Sequence, residues 1–349
     1  MTQKNRILKI GNRTISEFNK PLIIPELGIN HNGSIEVAFK IVDAAKRAGA
    51  EIIKHQTHIP HDEMSEEAKK IKPGNSNRSI YNIIKDSSLS EEDEFKLFKY
   101  INKKRMIFLS TPFSRMAVDR LVKFGVKAFK IGSGEMNNYP LIDHILKFKK
   151  PLIVSTGMHS LKNVKKFVSY LSGKQSNFAL MHTTNLYPTP NDLVRLNSIS
   201  ELIKTFPNRL IGLSDHTKTN HSSFGAIALG ACIIEKHFVD KKTRSGPDIS
   251  SSVDENELKE LIRGVNIIYL QRGGKKNLLK EEQVTRNFAF ASVVSTKKIF
   301  KGEKFSRKNI WVKRPGTGYF SAKDYNYVLG KKARKDIKKN YQIKKNDIN

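Results

Sequence analysis

Cysteine is nearly missing: Cys232 is the only one in 349 residues. One thiol excludes an internal disulfide framework and fits a reducing compartment. Long apolar runs are missing too. No stretch approaches the ~20 residues of a membrane-spanning helix, and the opening MTQKNRILKIGNRTISEFNK lacks a signal peptide's apolar core. The expectation is a soluble, cytoplasmic chain with no membrane partner. Acidic residues are scarce, 33 against 63 lysines and arginines, for a formal charge of +30. Such an excess raises the possibility of a nucleic-acid partner. The lysines, however, are spread through nearly every segment, and the densest run, GKKARKDIKKNYQIKK, has one aromatic, Tyr341. With no zinc-finger spacing, aromatic ladder or recognition helix, no nucleic-acid partner is expected. A positive surface would still gather small anionic substrates. A glycine-rich dinucleotide fingerprint is also lacking, since neither ELGINHNGS nor the short GSG at Gly132–Gly134 supplies G-x-G-x-x-G.

What is present is a repeat of short apolar segments that finish in polar residues. They are LIIPELGIN, EIIKHQTH, MIFLSTPF, AFKIGSGE, PLIVSTGM, FALMHTTN, LIGLSDHT and CIIEKHF, eight between Leu22 and Phe238. Each is short and rich in Ile, Leu and Val, as a strand buried on both faces should be. Helix-like stretches separate them. SIEVAFKIVDAAKRAGA carries apolar residues near a 3.6-residue period and ends by Gly49, and SRMAVDRLVKFG repeats that plan. Eight βα units predict a (β/α)8 TIM barrel, an α/β architecture, in preference to an open doubly wound sheet. The longest gap, 59–105, turns at Pro73-Gly74 and is placed to form a wall or lid. A helix is expected over Glu255–Leu270, then a connector, then a small, mainly β module. The expected domains are 1–280, barrel with connector, and 281–349. A module this small is marginal alone and should lean on the barrel or a partner.

In such barrels catalytic groups gather at the carboxyl ends of strands. Those ends offer Glu26, Lys54, Thr111, Lys130, Ser133, Glu135, Ser155, Asn185, Ser214, His216, Glu235 and His237. Each has a plain structural reading: lysines paired with Glu26 or Glu135, serines capping helices, Asn185 in a turn. Together, lysines and hydroxyls at the ends of buried strands imply a bound anion, because unpaired buried charge costs several kcal/mol. His216 and His237 end neighbouring strands, roughly 5 Å apart in a parallel sheet. They could share a divalent ion, leaving positions for water and substrate, or be hydrogen-bonding histidines without metal.

The motifs PELGINHNGS, KHQTH, STPFS, KIGSGEMNNYPLI, STGM, TTNLYPTP, GLSDHT and EKHF resemble the sialic acid synthase family. FAFASVV and NIWVKRPGTG resemble its carboxyl-terminal antifreeze-like, or SAF, domain. The resemblance implies condensation of phosphoenolpyruvate with open-chain N-acetylmannosamine and water, giving N-acetylneuraminate and phosphate. A close alternative is a legionaminate or pseudaminate synthase acting on a 6-deoxy diacetamido hexose. The resemblance assigns the metal, Mn²⁺ or Mg²⁺, to His216 and His237. It assigns phosphoenolpyruvate to Lys54, Thr111, Lys130, Ser133, Ser155, Asn185 and Ser214, and the sugar to Asn75, Tyr187, Glu135 and Glu235. Glu26 would face the reaction centre. Arg314 and Phe288 would enter the active site of the partner in a domain-swapped homodimer. RSGPDI departs from the family pattern at Ser245, where proline is common, which implies a loop adjustment.

Overall fold

The structure is a computed structural model that describes residues 6–74, 76–174 and 177–349. A short antiparallel hairpin, β1 (Leu8–Ile10) and β2 (Arg13–Ile15), precedes the repeat. The eight expected strands follow: β3 (Leu22–Gly28), β4 (Ile52–Thr57), β5 (Ile107–Pro112), β6 (Phe129–Ile131), β7 (Leu152–Ser155), β8 (Phe178–Thr183), β9 (Leu210–Asp215) and β10 (Ile233–His237). They form one parallel sheet in the order β5-β4-β3-β10-β9-β8-β7-β6, with β6 adjoining β5 so that the ring closes. This is the (β/α)8 barrel.

Side chains alternate across each strand with period two. Ile24, Ile52, Leu109, Ala128, Ile153 and Ile233 share the cluster filling the barrel's interior. Their neighbours Ile23, Ile53, Phe108, Phe129, Leu152 and Ile234 join the separate core packed with the surrounding helices. Two residues beyond the interior set, on the same face, stand Glu26, Lys54, Thr111, Lys130, Ser155 and Glu235. A polar layer therefore caps an apolar one. Gly212 keeps the apolar layer close-packed, since a Cβ there would lie 2.4 Å from Met181 Sδ and 2.5 Å from the Ile233 carbonyl oxygen. The hairpin, which the strand pattern did not reveal, adds Leu8, Ile10 and Ile15 to the interior cluster.

Helix starts follow side-chain capping. Ser34, Ser90, Ser114 and Ser160 each accept a backbone N–H at the start of helices Ile35–Arg47, Glu91–Lys103, Arg115–Phe124 and Leu161–Ser172. The helix expected over Glu255–Leu270 spans Glu255–Gln271 and opens with an Asp254/Glu257 capping box. Among the described residues no helix is long and apolar enough to cross a membrane.

The chain divides into compact units Met1–Gly273 and Gly274–Asn349, so the connector groups with the second. That unit pairs β11 (Ser292–Ser295) with β12 (Ile310–Lys313) and adds isolated bridges such as Ile299 to Ile337. Its own core includes Val293, Phe305, Ile310 and Ile343.

Candidate active site

Strand register brings the polar layer together. Glu26 on β3 is the Cα partner of Lys54 on one side and of His237 on the other, and Ser214 is that of Glu235. Lys54, Lys130, Glu26 and Glu235 are all buried. Lys54 Nζ donates to Glu26 Oε1 at 2.5 Å and lies 3.4 Å from Thr111 Oγ1 and 3.7 Å from Glu235 Oε1. Lys130 Nζ donates to Ser155 Oγ at 2.6 Å and lies 3.5 Å from Glu235 Oε1, which also accepts from Ser214 Oγ at 2.9 Å. These groups line a cavity of about 140 Å³ with Ser133, Asn185, Tyr187, His216 and His237.

The charges hold each other in place. Burial alone would raise the Glu26 pKa, but His237 and Lys54 outweigh it and hold Glu26 well below the usual carboxylate range. Burial pulls Lys54 down, yet Glu235 and Glu26 together raise it. Lys130 is lowered by burial, because Glu235 only partly offsets the loss of water and Lys54 adds repulsion. Glu235 Oε2, Asn185 Oδ1 and His237 Nδ1 are buried without hydrogen-bond partners. Three orphaned polar atoms around one cavity are what a site built for a ligand presents.

The plain readings divide. Lys54 does pair with Glu26, whereas Lys130 turns to Glu235 and Ser155. Glu135 accepts from Asn138 at 2.9 Å, and burial raises its pKa. Ser133 precedes the 3-10 turn Gly134–Asn137 but its side chain makes no capping bond there, and Ser155 and Ser214 cap none of the described helices. Ser133 Oγ instead accepts from the Gly157 N–H at 3.1 Å. A Cβ on residue 157 would lie 1.8 Å from Asn185 Oδ1 and 2.8 Å from Ser133 Oγ, so any larger residue would displace those two side chains.

His216 and His237 come together, with ring centroids 5.4 Å apart. The Tyr187 ring stacks on His216 at 4.2 Å and meets His237 edge-on at 5.7 Å. His216 Nδ1 lies 2.9 Å from the Thr184 carbonyl, which requires a proton on Nδ1 and leaves the Nε2 lone pair available. Burial, reinforced by His237, pushes the His216 pKa down to about 3, so the ring is neutral at ordinary pH. His237 Nε2 lies 3.4 Å from Glu26 Oε2, and its Nδ1 is 3.5 Å from Asp248 Oδ2. A neutral imidazole with a free lone pair beside a second imidazole with an orphaned nitrogen fits a divalent ion. Among the described residues no group of three or more His, Cys, Asp or Glu is placed to hold one. Two protein ligands would leave coordination positions for water and substrate.

Asn75 lies outside the described residues. Arg314 and Phe288 belong to the second compact unit, where both are exposed. Residues that strand-end reasoning passed over include Gln56, whose Nε2 donates to Glu26 Oε1 at 2.7 Å, and Asp248, which sits beside His237. Gln56 had a signal: it lies two residues beyond Lys54 on the same strand face. Asp248 had none, being on a loop fixed by distant contacts, among them Asn32 Nδ2 donating to the Ser245 carbonyl at 2.6 Å.

Residues 41–277 match the NeuB family and residues 290–349 the SAF domain. The chain belongs to the NeuB family. This family comprises phosphoenolpyruvate-dependent synthases of sialic-acid-like sugars. An N,N'-diacetyllegionaminic acid synthase of Campylobacter jejuni is 38% identical over 94% of this chain and 100% of that protein. A pseudaminic acid synthase of the same species is 36% identical over 98% of this chain and 100% of its own length. The N-acetylneuraminic acid synthetase of Leptospira borgpetersenii, solved with citrate, superposes with a TM-score of 0.74 at 28% identity, covering 82% of this chain and 96% of that one.

Two outcomes follow for this NeuB-family site. His216→Ala and His237→Ala should each weaken Mn²⁺ binding by about 10-fold or more, measured by titration calorimetry; unchanged affinity in both would remove the shared-ion assignment. Gly157→Ala should raise the phosphoenolpyruvate KM about 10- to 100-fold, the equivalent of one hydrogen bond to a charged group. An unaltered KM would show that Ser133 and Asn185 do not hold that substrate.

Proposed function

We propose that the enzyme joins C3 of phosphoenolpyruvate to the aldehyde carbon of open-chain 2,4-diacetamido-2,4,6-trideoxymannose. Water adds at C2 and inorganic phosphate leaves, giving a legionaminic-type sugar acid. The observation that supports the chemistry is the buried Lys54–Lys130 pair facing the His216–His237 pair across one small cavity. The choice of sugar is supported by the identities: 38% and 36% to the legionaminic and pseudaminic acid synthases, against 31% to the N-acetylneuraminate-9-phosphate synthase of Homo sapiens. N-acetylmannosamine, the sugar expected from the motifs, takes second place on this comparison.

Phosphoenolpyruvate carries up to three negative charges, and its C3 must stay unobstructed. Lys54 and Lys130 provide charge, while Thr111, Ser133, Ser155, Ser214 and Asn185 provide directional hydrogen bonds around it. A divalent ion on His216 and His237 would supply Lewis-acid polarisation of the sugar's aldehyde oxygen. As C3 adds to the aldehyde, C2 becomes oxocarbenium-like, and Glu26, held ionised by its neighbours, stabilises that positive charge. Water then adds to C2, and the tetrahedral carbon collapses with cleavage of its C–O bond to phosphate. Tyr187, Glu135 and Glu235 orient the sugar. Arg314 and Phe288, exposed on the second unit, complete the site of a partner subunit in a homodimer.

Phosphate release with Mn²⁺ should be fastest for the trideoxymannose among that sugar, its altrose isomer and N-acetylmannosamine. Preference for N-acetylmannosamine would overturn the sugar, and no release with any of them would overturn the reaction. Mixing Arg314→Ala with Lys130→Ala chains should restore activity through hybrid dimers. No recovery despite demonstrated subunit exchange would exclude a site completed in trans.

A further inference from the structure

The loop that follows β7 carries a side chain to which the mechanism above gives no part. Thr156 anchors the start of that loop to β8, its N–H and Oγ1 both donating to the Met181 carbonyl, at 3.0 and 2.9 Å. Ser160 anchors the other end as the cap of the helix Leu161–Ser172. Between them the chain turns through Met158, which has a φ of +63° and is 70% exposed. A residue with a Cβ adopts that left-handed conformation at a cost, so something nearby must compensate. The compensation lies on either side of Met158: the Gly157 N–H and the His159 imidazole both meet Ser133.

Ser133 is held at two atoms. Its Oγ accepts from the Gly157 N–H at 3.1 Å, and its carbonyl oxygen lies 3.0 Å from His159 Nε2. A carbonyl only accepts, so Nε2 is the donor whether or not the other ring nitrogen also carries a proton. The chain around Ser133 holds that carbonyl less well. Strand β6 has already ended at Ile131, and the turn Gly134–Asn137 has no side-chain cap. Within that turn the Met136 N–H reaches the Ser133 carbonyl at 3.4 Å. His159 thus makes the shorter bond to that oxygen, and it does so from the loop of the adjacent strand, since β7 pairs with β6. With Gly157 donating to Oγ, the hydroxyl proton of Ser133 is what remains to meet an anion.

We propose that His159 is a positioning residue for phosphoenolpyruvate. Its Nε2–H holds the Ser133 carbonyl so that the serine, fixed also by Gly157, presents its hydroxyl proton to the substrate in one orientation. Ser133 is buried and lines the cavity, whereas His159 is only partly buried and lies outside that lining. The imidazole therefore acts through the serine. Without it the carbonyl would keep only the long bond from Met136, and the residue could shift. Hydrogen bonds to a small, highly charged substrate are directional, so a displacement well under 1 Å at one anchor weakens binding.

This role rests on Ser133 binding phosphoenolpyruvate, and one experiment separates the two claims. Phosphoenolpyruvate is titrated into the full-length protein with Mn²⁺ and no sugar, which needs no turnover and is independent of the sugar used. Ser133→Ala should weaken binding about 10-fold or more, as the loss of a hydrogen bond to a charged group does. His159→Leu should weaken it about 3- to 10-fold. His159→Phe keeps a ring but has no donor and should match the leucine variant. His159→Gln, whose amide nitrogen can stand where Nε2 does, should recover most of the loss. In the Ser133→Ala background, His159→Leu should add under about twofold, because the side chain it positions is gone. Additive losses in that double variant, a glutamine no better than leucine, or wild-type affinity in His159→Leu or His159→Phe would overturn the role of His159 while Ser133 kept its own. Wild-type affinity in Ser133→Ala would overturn the placement of the substrate on Ser133, and this proposal with it.

Discussion

The arrangement depends on four charges taken out of water at one mouth of the barrel: Lys54, Lys130, Glu26 and Glu235. Each costs several kcal/mol to desolvate and persists only where the others compensate it. The mutual distances of 2.5 to 3.7 Å supply that compensation. Such a cluster requires a frame that does not relax. Its members are spaced by the parallel ladder and stand on a close-packed apolar layer. Shifting one strand by a residue would turn its charge outward, toward the helices.

The two histidines share that frame and occupy different electrostatic settings. His216 is neutral and fixed by the Thr184 carbonyl, whereas His237 touches Glu26 and Asp248. Behind them, β9 and β10 are joined by a second buried ion pair, Lys236 Nζ to Asp215 Oδ2 at 3.0 Å, with the Thr217 carbonyl accepting from Lys236 at 2.8 Å. Asp215 precedes His216 and Lys236 precedes His237, so this pair ties together the two backbones that present the rings. The buried charges on one face of the sheet organise ligand contacts, and those on the other organise the sheet.

Much of this was legible from pattern. Eight apolar runs ending in polar residues place the eight strands, because a parallel strand buried on both faces can be little else. Period-two spacing from Lys54 also reaches Gln56, so that residue was available to the same logic. The N-terminal hairpin was not, since three-residue strands carry too little periodicity to be seen. Asp248 was hidden because its position depends on a loop anchored by residues some two hundred positions away.

The order of residues by itself determined the barrel, the strand ends and the set of lysines, serines, carboxylates and histidines gathered there, through local periodicity and chain length. Only the tertiary structure decided which of them touch. Lys130 turns to Glu235 and Ser155 instead of Glu135, Gly157 makes room for Asn185, and His159 reaches back to the Ser133 carbonyl. Those partnerships depend on sub-ångström register and on donor and acceptor valence, which packing imposes in three dimensions and residue spacing does not encode.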